Sequence, residues 1–174
     1  MMMTLARHQR SLERALGGRP VEAADVYALH VRSTRQWRLL EESVRFWRRL
    51  AVQRGAPLTA AFLLKQRRLH DVVDRLLAER LASPYTETMA EAFLVRVSGA
   101  PDEIASALAR TELALQRVAR GAHTAYQIEW PVDPVAALAS LLDPSRVEWP
   151  DRPGRWQLTV EGRLPGLMSA TRLD

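Results

Sequence analysis

Four histidines, His8, His30, His70 and His123, are the side chains of this sequence best suited to ligate a metal or move a proton near neutral pH. A metal site needs several such groups, with carboxylates or thiolates, converging on one point. No histidine has a second one three or four residues away, so no two share a helix face locally. His30 reads as a core or capping residue and His70-Asp71 as a helix-surface pair. His123 follows Gly121 in a loop with Thr124 and Tyr126 nearby, and is the best histidine for contact with another molecule. The 174 residues include no cysteine, which excludes thiolate ligands, disulfides and a cysteine nucleophile. Ser33, Ser43, Ser98 and Ser106 lack the G-x-S-x-G setting of an activated serine. Neither G-x-x-x-x-G-K-S/T nor G-x-G-x-x-G is present to cradle phosphates. Glu41 and Glu42 are adjacent and point apart, at helical spacing to pair with Arg38 and Arg45. The chain is therefore expected to hold no catalytic residue and no metal or other cofactor of its own. Binding is what remains.

Binding needs surfaces, and residues 26–50 (VYALHVRSTRQWRLLEESVRFWRRL) offer the most distinctive one. They read as one long amphipathic helix, or two with a bend. Val26, Leu29, Leu40, Val44 and Trp47 fall within about 80° of Trp37 on a helical wheel, a stripe that faces a core. Arg35, Arg38, Arg45 and Arg49 gather to one side as a cationic ridge. With a net charge of +5 and a sequence pI near 10.6, such a ridge suggests nucleic acid. Yet Lys65 is the only lysine, a skew that marks a GC-rich genome more than phosphate recognition. Acids also interleave with the arginines, and two short helices around a tight turn with a polar reading face are not evident.

Around this segment the pattern is mainly helical. A first helix capped by Thr4 runs to about Leu16 and stops at Gly17-Gly18. After residue 50 the helix ends near Gly55, and Pro57 permits another start. Helical spacing then continues over 58–81, Ser83-Pro84 interrupts it, and a short helix passes through Met89, Phe93 and Leu94. Pro101-Asp102-Glu103 opens a further helix that Gly121 ends. Beyond Gly121 prolines multiply, and Asp133 caps one short helix to Leu142. Residues 146–149 and 156–160 read as two strands of an antiparallel hairpin joined by Pro150-Asp151-Arg152-Pro153-Gly154. Two strands alone are marginal. They must lean on the helices or gain a strand, and an exposed edge can accept an extended peptide. Trp149 and Trp156 suit such an interface. The expected fold is a helical domain over 1–121 followed by a small α+β, peptide-binding region over 122–174. No signal-peptide or membrane-spanning run is present, so a soluble cytoplasmic protein is expected.

Three pieces resemble a family of accessory subunits of multinuclear iron enzymes that modify ribosomally made peptides in bacteria, the MbnC, TglI and BufC/HvfC group. One is Val26-Tyr27 with Val31-Arg32, then Leu39-Leu40-Glu41 and Phe46-Trp47-Arg48-Arg49-Leu50. The second is Leu108-Ala109-Arg110-Thr111-Glu112-Leu113-Ala114, similar to the family's arginine–glutamate helix. The third is Asp133-Pro134 to Leu142 before a β-rich tail. The asparagines that often follow the family's tyrosine are absent. The resemblance implies a non-catalytic subunit in peptide natural product biosynthesis. Such a chain docks on a TIM-barrel iron oxidase and captures the precursor's leader by strand addition, and the oxidase modifies a cysteine with iron and O₂. Val147, Trp149, Trp156, Leu158 and Val160 would then border the peptide, and Arg35, Arg38, Arg45, Arg49, His123 and Tyr126 would meet the enzyme. The alternative is an arginine-rich helical protein that binds nucleic acid.

Overall fold

Apolar residues at helical spacing dominate the chain up to residue 119, and alternation takes over after it. The computed structural model follows that division. It describes residues 5–16, 20–22, 25–78, 86–143, 145, 147–150 and 153–173. Eight α-helices are found among them: α1 (Leu5–Leu16), α2 (Val26–Ser33), α3 (Arg35–Gly55), α4 (Pro57–Lys65), α5 (Leu69–Ala78), α6 (Thr86–Ser98), α7 (Glu103–Ala119) and α8 (Pro134–Leu142). Three antiparallel strands, β1 (Tyr126–Val132), β2 (Pro153–Val160) and β3 (Met168–Arg172), form one sheet in the order β1-β2-β3. The expected Thr4 cap and the Gly17-Gly18 stop lie outside the described residues.

Helix starts follow side-chain chemistry. Asp25, Thr34, Asp102 and Asp133 each accept a backbone N–H from the first turn they precede, which satisfies donors that a helix leaves open. Thr34 has extended backbone and also donates its hydroxyl to the Val31 carbonyl. The chain therefore turns there, and of the two expected readings of residues 26–50, two helices with a bend is the one formed. Near the other end Gly121 takes φ +93°, and the N–H groups of Gly121 and Ala122 return to Val118 and Arg117. This left-handed stop favours glycine.

The helix expected over 58–81 is in fact α4 and α5. Arg67 at φ 59° breaks it, with Arg67 N–H on the Leu64 carbonyl and Arg68 N–H on Leu63. The expected hairpin partner changes as well. Val147, Glu148 and Trp149 are not in a strand, and β2 pairs instead with β1, Trp156 opposite Trp130 and Val160 opposite Tyr126. On its other side β2 pairs with β3.

Helix α7 is the hub. It packs against α6, α4 and β1, and α6 packs in turn on α3. One continuous core joins Val52, Phe62, Leu63, Phe93, Leu94 and Leu108 of the helices to Ile128, Trp130, Leu158 and Val160 of the sheet. The change at Gly121 is thus a change of secondary structure within a shared core. Burial of this apolar surface is the main force holding the sheet to the helices. Polar pins fix the register. Trp130 Nε1 donates to Thr111 Oγ1 at 3.3 Å, Gln116 Nε2 to the Gly55 carbonyl at 2.7 Å, and Arg48 Nη1 to the Leu16 carbonyl at 3.2 Å. Among the described residues no helix is long and apolar enough to cross a membrane.

Candidate functional site

Alternation in β1 and β2 sends Ile128, Trp130, Leu158 and Val160 toward α7 and leaves Gln127, Glu129, Gln157 and Thr159 on the outer face. Strand order makes β1 and β3 the edges. β1 carries Pro131, which has no N–H, and its register shifts between Trp130 and Val132. Both features blunt an edge. β3 contains no proline. Leu173 N–H bonds the Arg155 carbonyl, and Glu161 N–H the Leu167 carbonyl. In that antiparallel register the odd positions of β3 exchange bonds with β2, so the backbone groups of Met168 and Ala170 point to the open side. This is the edge best suited to receive another strand.

At the same end of the sheet a groove of about 720 Å³ lies between α7 and the strands. Glu103 and Arg110 line it from the helix, Trp130 and Trp156 from the sheet, and Leu173 from just beyond β3. Trp156 is half-buried, with the Arg172 guanidinium 5.9 Å from its ring. An amphipathic ring beside charges of both signs can take a side chain that is itself partly apolar.

The other expected peptide residues divide. Leu158 and Val160 are 1% and 0% exposed. Their side chains belong to the core, and β2 is bonded on both sides. Trp149 stacks on Phe62 at 5.3 Å with Lys65 Nζ 5.9 Å from its ring, packing on α4. It does not line the groove. Val147 is half-buried in the segment after α8.

The expected partner residues divide as well. Arg35, Arg38 and Arg45 are exposed on α3, and no ion pair holds them among the described residues. The pairing expected with Glu41 and Glu42 is not formed. Arg49 is held at 2.7 Å by Asp74 of α5. His123 is exposed in the loop before β1, and Tyr126 is half-buried with the Arg117 guanidinium 5.9 Å from its ring. The tryptophan stripe is corrected more strongly. Trp37 is 5% exposed, but Trp47 is 62% and neighbouring Phe46 59% exposed. Val26, Leu29 and Leu40 are exposed too.

Two buried acids stand out that spacing alone did not single out. Glu112 of α7, 5% exposed, accepts the Leu58 and Thr59 N–H groups at 2.8 Å each, capping α4 from within the core. Burial pushes its pKa up, and the N–H donors only partly offset this. A signal existed, because Glu112 follows Leu108 by four residues and so shares its buried face. Asp25 accepts Ala28 N–H at 2.9 Å and meets His8 Nδ1 at 2.9 Å. The Ala28 donor is the largest influence holding its carboxyl below the usual range. Among the described residues no three His, Cys, Asp or Glu side chains gather as a metal site would require.

Compared with protein-family models, characterised proteins and solved structures, the chain matches none.

Proposed function

We propose that this protein is a peptide-binding accessory subunit, which presents a ribosomally made precursor peptide to an iron-dependent TIM-barrel oxidase that modifies cysteine. One observation supports this most: β3 offers a proline-free open edge whose outward backbone groups end beside the Trp156 groove. An extended leader can pair with Met168 and Ala170 and set one side chain in that groove. Backbone bonds give such a complex affinity, and the groove gives selectivity. Holding the leader raises the effective concentration of the cysteine at the partner's metal. The chemistry belongs to the partner. The sequence resemblance supplies the identity of peptide and partner, and the sheet edge supplies a physical means.

Titrating a synthetic leader peptide into the chain, followed by tryptophan fluorescence, tests the binding half. Saturable binding that Ala170→Pro abolishes is expected, because proline removes an outward donor and spares the β2 ladder. Equal binding by wild type and variant overturns the strand-addition site.

Arg35, Arg38 and Arg45, exposed and without ion pairs among the described residues, favour a second reading, a nucleic-acid-binding protein. That reading requires a mobility shift at low salt that weakens steeply as salt rises. Absence of any shift removes it.

A further inference from the structure

Helix α3 has two apolar faces, and the fold uses one. Trp37, Val44 and Val52 turn inward. Leu39, Leu40, Phe46 and Trp47 are all exposed on the outward side. Phe46 follows Leu39 by seven residues and Trp47 follows Leu40 by seven, so the four make one strip about two turns long. Phe46 and Trp47 meet edge to face at 5.6 Å. Arg35, Arg38 and Arg45 run along one flank of the strip, exposed and without ion pairs among the described residues. Between α3 and α5 opens a groove of about 320 Å³, walled by Glu42, Arg45, Phe46 and Leu50 on one side and His70 on the other.

We infer that this outward face of α3 docks an acidic, amphipathic segment of a protein partner. Apolar side chains of that segment lie on the Leu40–Trp47 strip, one enters the Phe46 groove, and carboxylates face Arg35, Arg38 and Arg45. Exposed tryptophan and phenylalanine beside arginine form the composition in which binding energy concentrates at protein interfaces. Charge complementarity selects the occupant. A second copy carries the same cationic row and a net charge of +5. Antiparallel pairing of two such strips about a two-fold axis across the helices would bring the rows together. An anionic membrane suits a helix with cations along both flanks of its apolar face, whereas here Arg35, Arg38 and Arg45 lie on one with Glu42, and Arg48 on the other is half-buried and holds the Leu16 carbonyl. Only for the partner's identity does the inference rest on the proposed function: if the oxidase is the partner, this is its dock.

The probe is a synthetic 18-residue amphipathic helix with leucines on one face and glutamates beside them. It is titrated into the purified chain, with tryptophan fluorescence as readout. Wild type is expected to bind saturably. R38E/R45E and F46S/W47S should each weaken binding at least tenfold while melting like wild type, and V95S on α6 should change nothing. Absent saturation, or equal binding by the variants, overturns the inference. So does sedimentation showing a dimer that F46S/W47S abolishes, or phosphatidylglycerol vesicles binding where the peptide does not. Coexpression with the iron oxidase separates the two proposals. If the oxidase co-elutes equally with wild type and both variants, the dock is overturned and the accessory role stands. If the probe binds and the variants lose it, but the oxidase does not co-elute, the accessory role fails and the dock stands.

Discussion

Glu112 holds two backbone donors of another helix from inside the core, and its surroundings make two expectations testable. Glu112→Ala orphans the Leu58 and Thr59 N–H groups, at roughly 1–3 kcal/mol for each donor left buried. Urea unfolding should show that loss, and an unchanged midpoint would refute the cap. The raised pKa sets a pH dependence. The folded chain holds this proton more tightly than the unfolded chain, so stability falls as pH rises from the ordinary glutamate value through the raised one. Glu112→Gln removes that slope and keeps an acceptor. Parallel stability profiles for wild type and variant between acid and neutral pH would contradict it. Asp25 acts in the opposite sense. Its lowered pKa contributes stability that is lost as pH falls through the folded value. Arg67 offers a gain. At φ 59° a side chain is strained by about 1–2 kcal/mol, and glycine's extra freedom in the unfolded chain offsets part of the relief. Arg67→Gly should therefore raise stability by about 0.5–1 kcal/mol, a few degrees of melting temperature. A lower melting temperature would count against the strain.

Helix α3 shows how far residue spacing carries at the scale of elements. The wheel placed Trp37 and Trp47 on one stripe, and both lie on α3, yet the fold buries Trp37 and leaves Trp47 exposed. A wheel gives angles, and the neighbours decide which angle is buried. Trp37→Ala should cost about 3–5 kcal/mol, whereas F46S/W47S should stay within about 1 kcal/mol in sum, as exposed positions do. Comparable losses in thermal melts would mean that the outer strip is buried. The strands teach a related lesson. Tyr126, Ile128, Trp130 and Val132 alternate with polar residues clearly enough to be read as a strand, apart from the interruption at Pro131. The 146–149 segment had strand-like composition, but β1 offered β2 a longer apolar face. The break at Arg67 left no local trace, because no glycine or proline marks it.

Across the whole molecule, the helical division, the helix start at Pro101-Asp102-Glu103, the cap at Asp133 and the late sheet were legible because caps and periodicity are local. The candidate site was less so. Trp156 could be singled out from sequence, but the β3 edge and the α7 wall beside it depend on strand order, which no local pattern encodes. One core joins α3 through α8 to the sheet, so the β3 edge and the α3 face are carried on one framework. A peptide bound at the first and a protein bound at the second would be held in fixed relation, as presentation requires. The central claim is that this chain is needed to bring precursor to oxidase. The most direct measurement coexpresses chain, iron oxidase and precursor peptide, and compares cysteine modification by mass spectrometry with and without the chain. Co-elution with the oxidase, with modification that disappears when the chain is omitted or carries Ala170→Pro, is the predicted result. Separate elution with turnover unchanged by the chain would contradict the account.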